Sequence, residues 1–322
     1  MTSITQRREP AGEVTPRRGS AAPNGPGARR SPRGLRRRST LIGWSFILPN
    51  FLGFALFTLV PVIAAFVLAF MHWDSYNPPT WAGIDNFLRL FRDDDFRIAL
   101  QNTVLYALGH VPLTLALSLG LALLLNQKLR GIAFFRVAIF FPYITSLVAI
   151  AIVWNMLFDP TSGPINQFLH AIGIADAPGW TASTTWALPA VIITSVWRDM
   201  GYYMVLFLAG LQAIPREYYE AAQMDGAGRW RSFWNVTLPS LRPTTFLVLV
   251  LLSVSSFKVF DLVFVMTQGG PGRATLVLSQ LIYQDGILNG EFGYSSAISL
   301  VLFLIVLLVT VFQFRIQQRR ER

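Results

Sequence analysis

The chain has no cysteine, which excludes disulfides and thiolate metal sites. Its only lysines are Lys128 and Lys258, and no G-x-x-x-x-G-K-[ST] run occurs, so it carries no phosphate loop of that kind for ATP. There is no G-x-S-x-G nucleophile elbow. No two carboxylates stand at a spacing suited to acid–base chemistry in a membrane pocket. The three histidines, His72, His110 and His170, lack metal-ligand spacing. Charge is scarce, at 14% of 322 residues. These absences point to a passage protein with no catalytic residue, metal or cofactor of its own.

What the chain has is apolar length, with 53% hydrophobic residues. A bilayer core of ~30 Å takes ~20 mostly apolar residues as a helix. Six runs qualify: Leu41–Met71, Ile98–Asn126, Ile132–Phe158, Trp186–Ile214, Thr244–Met266 and Tyr294–Phe314. They predict an all-α, polytopic membrane protein with six transmembrane helices over 41–316 and a short tail at 317–322. Pro49, Pro61, Pro112, Pro142 and Pro189 do not veto these spans, because neighbouring helices can satisfy the freed carbonyls. The alternative is a large soluble helical protein, in which six runs of this length are rare. Residues 1–40 are rich in Arg, Pro, Gly and Ser with too few apolar side chains for a core, and read as a disordered basic tail. They do not read as a signal peptide, so the first run is expected to stay as an anchor.

The net charge of +10 is distributed by side. With the N-terminus inside, the tail, the Gln127–Arg136 turn region, the 215–243 loop and the C-terminus carry 10, 3, 4 and 4 basic residues, or 21 together. The outer loops carry 4, and Arg198 and Lys258 fall within spans. This asymmetry places both termini and the 215–243 loop in the cytoplasm. The charge then orients the protein against anionic lipid, and no nucleic-acid partner is expected. Trp73, Trp81, Trp154, Trp180 and Trp186 fall near the predicted outer boundary, where amphipathic rings are favoured.

The loop "EYYEAAQMDGAGRWRSFWNVTLPSLRP" (217–243) is polar between two apolar runs. Pro215 suits a helix start, and Glu217 and Glu220 sit where the helix dipole favours negative charge. Ala221 and Ala222 are strong helix formers with little bulk, so another surface can approach closely. Asp225-Gly226 reads as a helix stop. A second short helix is expected over Arg229–Val236 with Trp230, Phe233 and Trp234 as apolar anchors. Leu238-Pro239 and Pro243 are expected to turn the chain back into the bilayer. The physical reading leaves two options, a helix–turn–helix that docks on a partner or an interfacial helix lying on headgroups.

Glu220-Ala221-Ala222, Gly226, Val236, Leu238 and Pro239 resemble the EAA loop of membrane subunits of binding-protein-dependent ABC importers, with Val236 where isoleucine is commoner. "VWRDMGYYMVLFLAGLQAIPREYYEAAQMDGA" and "FDLVFVMTQGGPGRATLVLSQLIYQDGI" are similar to segments of sugar-importer permeases of the maltose and glycerol-phosphate type, and the likeness runs through most of 41–316. The resemblance implies a bacterial or archaeal plasma-membrane protein. It implies a second homologous permease, an ATPase subunit dimer that holds ATP and Mg, and an extracytoplasmic solute-binding protein. Glu220, Ala221, Ala222, Asp225, Gly226, Trp230, Leu238 and Pro239 would then couple to the ATPase.

Within the spans, Arg198, Asp199, Lys258 and Asp261 are costly charges expected to face the bundle interior. Lys258 and Asp261, three apart, are expected on one helical face and able to pair. Arg198 and Asp199, adjacent, are expected to diverge and seek partners elsewhere. Tyr202, Tyr203 and Phe257 are shaped to stack on a sugar, or else face lipid. The four charges line a solute path or serve as glue between helices. Gly269-Gly270-Pro271-Gly272 requires a tight outer turn. That turn is a plain connector or, as the resemblance implies, a loop near the binding protein. The expected function is uptake of a sugar or oligosaccharide. The alternatives are a glycerol-3-phosphate-like solute and a secondary transporter, which would need an inverted repeat that the sequence does not display.

Overall fold

The computed structural model describes residues 46–127 and 130–321. The tail expected over 1–40 lies outside them. The chain divides into two units at Leu59. In the first, residues 46–59 are helical and end in a π-helical turn, Ala55–Leu59. Their apolar side chains, Phe46 and Phe57 among them, are exposed, as suits a helix facing lipid.

The second unit begins with helix α1 (Val60–Leu68) and a short antiparallel hairpin of β1 (Met71–His72) and β2 (Thr80–Trp81). Then come α2 (Asp85–Leu90), α3 (Asp94–Leu125), α4 (Ile132–Ile144), α5 (Leu147–Leu157), α6 (Pro164–Ala171) and α7 (Ala187–Gln212). The charged loop supplies α8 (Arg216–Met224) and α9 (Arg229–Ser240). The chain ends with α10 (Arg242–Phe257), α11 (Asp261–Met266), α12 (Leu278–Tyr283) and α13 (Phe292–Glu321).

Among the described residues, four helices are long and apolar enough to cross a membrane: Phe46–Leu68, Asp94–Leu125, Ala187–Gln212 and Phe292–Arg319. Two bent pairs raise the number to six. The run expected as one span over Ile132–Phe158 is α4 and α5, which meet at 98°. Thr145 there leaves the helix with an extended ψ of 151°, and its hydroxyl donates to the Phe141 carbonyl. Such back-bonding weakens the helix locally. The run expected over Thr244–Met266 is also broken. Ser253, Ser255 and Ser256 each donate to a carbonyl of the preceding turn, α10 ends at Phe257, and α11 starts afresh at Asp261. Continuous apolar composition concealed both breaks.

The unit keeps an apolar core, with Phe158, Phe207 and Ile298 buried, but its exterior differs from that of a soluble protein. Leu108, Leu117, Leu304 and Leu308 are exposed, while Thr103, His110, Thr114, Ser118, Thr194 and Ser195 are buried. With lipid outside, small and polar side chains hold helices together. Helix α3 packs along α7, and α4 crosses α7 at Gly201. A Cβ at Gly201 would overlap the Ile139 carbonyl, so the crossing requires glycine there. Ser118 reaches from α3 to the Met200 carbonyl at 2.9 Å, beside the same crossing.

Candidate functional site

Three places gather the residues singled out in the sequence. The first is the loop after α7. Helix α8 ends as expected at Asp225-Gly226, in a Schellman arrangement. The Gly226 amide donates to Gln223 O at 3.0 Å, the Ala227 amide to Ala222 O at 2.8 Å, and Gly226 has φ +74°. The glycine is there because this cap needs the left-handed conformation. A Cβ at Gly226 would meet nothing within 4 Å. A larger residue at 226 would therefore be penalised by its backbone conformation and would meet no clash with α8 or α9.

Tyr219 and Thr237 share a hydroxyl contact of 3.0 Å that ties α8 to α9. Between them lies a groove of about 610 Å³ whose lining includes Ala221, Ala222, Asp225, Arg231 and Val236. The Glu220 side chain is exposed, and its carboxylate makes no ion pair or hydrogen bond among the described residues. Trp230, 72% exposed, packs on Phe233 and Trp234 and presents an aromatic knob at the surface. Leu238 and Pro239 were expected to turn the chain. Instead they continue α9 to Ser240, half-buried, and the 64° bend falls at Leu241 with Pro243 in the first turn of α10. Pro239 is tolerated because the π-helical stretch Phe233–Thr237 precedes it and Leu238 opens a fresh helical turn.

The second place is a polar cleft of about 160 Å³ inside the helices, lined by residues of α3, α5, α7, α10, α11 and the 258–260 break. Arg198, Asp199, Lys258 and Asp261 all line it. The pairing differs from expectation. Arg198 Nη1 bonds Asp199 Oδ1 at 2.8 Å, because the long arginine stem folds back where adjacent Cβ atoms diverge. Lys258 and Asp261 form no ion pair, since the break after Phe257 removes the common helical face.

Tyr203 is buried with its hydroxyl 3.5 Å from Ser255, Tyr202 stacks on Tyr143 at 4.4 Å, and Phe257 lies in a packed cluster with Leu276 and Leu281. None of these three rings forms the cleft wall; Tyr106 and Phe260 do. Sequence reasoning missed Tyr106, His110, Ser195 and Ser255. His110 is 1% exposed, stacks on Tyr106, and stands 3.3 Å from Asp199 Oδ2. A polar ring within the apolar run 98–126 was the available signal.

The third place is the loop around Gly269-Gly270-Pro271-Gly272. Gly269 and Gly272 have φ of +86° and +61°, as a tight turn requires. Asn102 on α3 donates to the carbonyls of Arg273 and Leu276, both at 3.0 Å. Arg273 pairs with Asp95, and the Thr103 hydroxyl accepts from the Leu278 amide at 3.0 Å. Among the described residues, no three His, Asp or Glu gather as a metal site.

The family model described as binding-protein-dependent transport system inner membrane component matches residues 113–322. The diacetylchitobiose uptake system permease protein NgcF of Streptomyces coelicolor is 34% identical over 310 residues, covering 90% of this chain and 87% of that protein. The sn-glycerol-3-phosphate transport system permease protein UgpA of Agrobacterium fabrum is 32% identical over 286 residues, covering 87% and 96%. A crystal structure of a bacterial ABC transporter involved in import of the acidic polysaccharide alginate contains a chain that superposes with a TM-score of 0.78 at 25% identity, covering 89% and 98%. A six-run helical chain with no phosphate loop, a capped exposed loop and an internal polar cleft thus has its counterpart in transport permeases: it belongs to the family of binding-protein-dependent transport system inner membrane components.

Proposed function

We propose that this chain is one of two homologous permease subunits in an ABC importer, and that the complex passes a carbohydrate delivered by an extracytoplasmic binding protein. In this reading α8 and α9 dock on an ATPase subunit, one of a pair that binds ATP and Mg. The loop and both termini lie in the cytoplasm, and the Gly269–Gly272 loop faces the binding protein. The observation that carries the reading is the EAA-spaced loop itself. It is capped at Gly226, tied by Tyr219 and Thr237, and exposes the Trp230 ring and a Glu220 carboxylate that has no ion pair or hydrogen bond among the described residues. An interfacial helix would not need a fixed cap or an unpaired carboxylate on its exposed side.

The cleft supports a carbohydrate. Its charges are balanced, with Arg198 paired to Asp199 through Nη1, and hydroxyls of Ser195, Ser255 and Tyr106 line it beside the Phe260 ring. Oligosaccharide relatives fit this chemistry, whereas a glycerol-3-phosphate-like solute would need a cation free to meet phosphate, a role left to Lys258. Purification from membranes with mass spectrometry of the bound subunits tests the assembly: a second permease and an ATPase are expected. A chain isolated without an ATPase under mild extraction, yet transporting solute, would overturn the reading.

A further inference from the structure

Among the described residues, two buried nitrogens of the cleft lining make no hydrogen bond, Arg198 Nε, a donor, and His110 Nε2. His110 Nδ1 lies 2.8 Å from Ser256 Oγ, and Ser256 Oγ lies 2.7 Å from the Leu252 carbonyl. A serine hydroxyl has one proton. Given to Leu252 O, it leaves Oγ an acceptor, so the ring hydrogen sits on Nδ1. Nε2 of the neutral ring is then a bare acceptor, and it makes no hydrogen bond. It stands 3.3 Å from Asp199 Oδ2, while Oδ1 of the same carboxylate is held by Arg198. Two acceptors side by side in a place of low dielectric repel unless a donor joins them.

We propose that His110 Nε2 and Asp199 Oδ2 form a paired acceptor that takes a hydroxyl donor from the passing solute and, when no solute is present, a proton. The inference rests on the cleft being the solute path. The other charged and titratable groups around the ring are Arg198 on α7, Tyr106 on α3, Lys258 in the break and Asp261 on α11. With the ring neutral, Arg198 and Lys258 balance Asp199 and Asp261, and the site favours an uncharged polyhydroxylated solute. With the ring protonated the cleft is net positive, the acceptor is occupied, and an anionic sugar is favoured instead. Solute entering the protonated site therefore displaces one proton, which leaves to water. His110 is a specificity-determining residue, and its test must go beyond loss of transport.

The test uses the reconstituted importer with its partners. With diacetylchitobiose as the neutral probe, KM is expected to rise as pH falls, because a proton competes with the solute hydroxyl for the acceptor pair, at constant kcat. His110→Leu should raise KM about tenfold, the worth of one good hydrogen bond, and flatten its pH dependence. His110→Gln, whose amide oxygen still accepts, should recover KM but stay flat. An alginate pentasaccharide, as the anionic probe, should show the opposite pH trend. Nitrogen-15 NMR of the complex, with only this chain labelled and carrying His72→Gln and His170→Gln, leaves one labelled histidine, expected as the Nδ1–H tautomer when the ring is neutral. A neutral Nε2–H tautomer, or variants that lower kcat and assembly with an unchanged pH profile of KM, would overturn the paired acceptor. If the wild-type complex takes up neither probe, the carbohydrate reading fails, and the tautomer alone decides this one.

Discussion

Replacing Gly226 isolates the mechanical part of the coupling loop. The residue is C′ of a Schellman cap, with φ +74° and two cap hydrogen bonds. No atom lies within 4 Å of the point where a Cβ would stand, so space contributes nothing to the penalty. What remains is the left-handed backbone, which costs an L-residue ~1–2 kcal/mol and is milder for asparagine. That shifts a local closed–open equilibrium about 5- to 30-fold. Gly226→Val should thus reduce solute uptake per copy by about that factor, with the chain inserted at normal abundance. Gly226→Asn, filling the same space, should lose far less. Uptake in vesicles, normalised to membrane abundance and to co-purified ATPase, separates the two. Equal losses in both would refute the conformational account, and full activity in the valine variant would remove the cap from the coupling role.

Glu220→Lys should detach the ATPase or leave its hydrolysis uncoupled, as losing one member of an interfacial charge pair costs ~2–5 kcal/mol; a lysine that leaves uptake intact would favour a lipid-lying loop, and ATPase co-purification checks it. Gly201→Ala should lower the thermal midpoint of the complex, because its Cβ meets the Ile139 backbone and overpacking costs ~1–3 kcal/mol. Gly120→Ala, with nothing within 4 Å, is the control expected to leave it in place. Arg198→Met strands the 15%-exposed Asp199 carboxylate and should depress uptake of a neutral sugar more than Lys258→Met does, measured as initial rates at saturating solute.

The spans, the loop and its stop at Gly226 were legible because each is written in local composition: apolar length, a Pro start, a Gly cap. The breaks at Thr145 and Lys258 were not, since hydropathy averages over a window and a serine that bonds backward changes no average. Pairing within the cleft was hidden for a different reason. The Arg198 stem is long enough to curl onto its neighbour, which side-chain direction at Cβ does not reveal. His110 was passed over because a lone histidine was weighed only as a metal ligand. Its partners, Asp199 and Ser256, lie 89 and 146 residues away in sequence and meet only after α3, α7 and α10 pack.

The staple between Asn102 and the 273–276 carbonyls has a mechanical consequence. Asn102, Tyr106 and His110 follow one another at intervals of four along one side of α3, on the rod that leads up to Pro112. The rod spans about 12 Å between the first and last of them. One end grips the 273–276 loop through the Asn102 side chain, and the other holds the acceptor ring of the cleft. A helix compresses poorly along its axis, so a push on that loop is delivered to the ring as displacement, not absorbed on the way. In the proposed importer, a partner seated on the loop would by this route act on the depth and tilt of the His110 side chain.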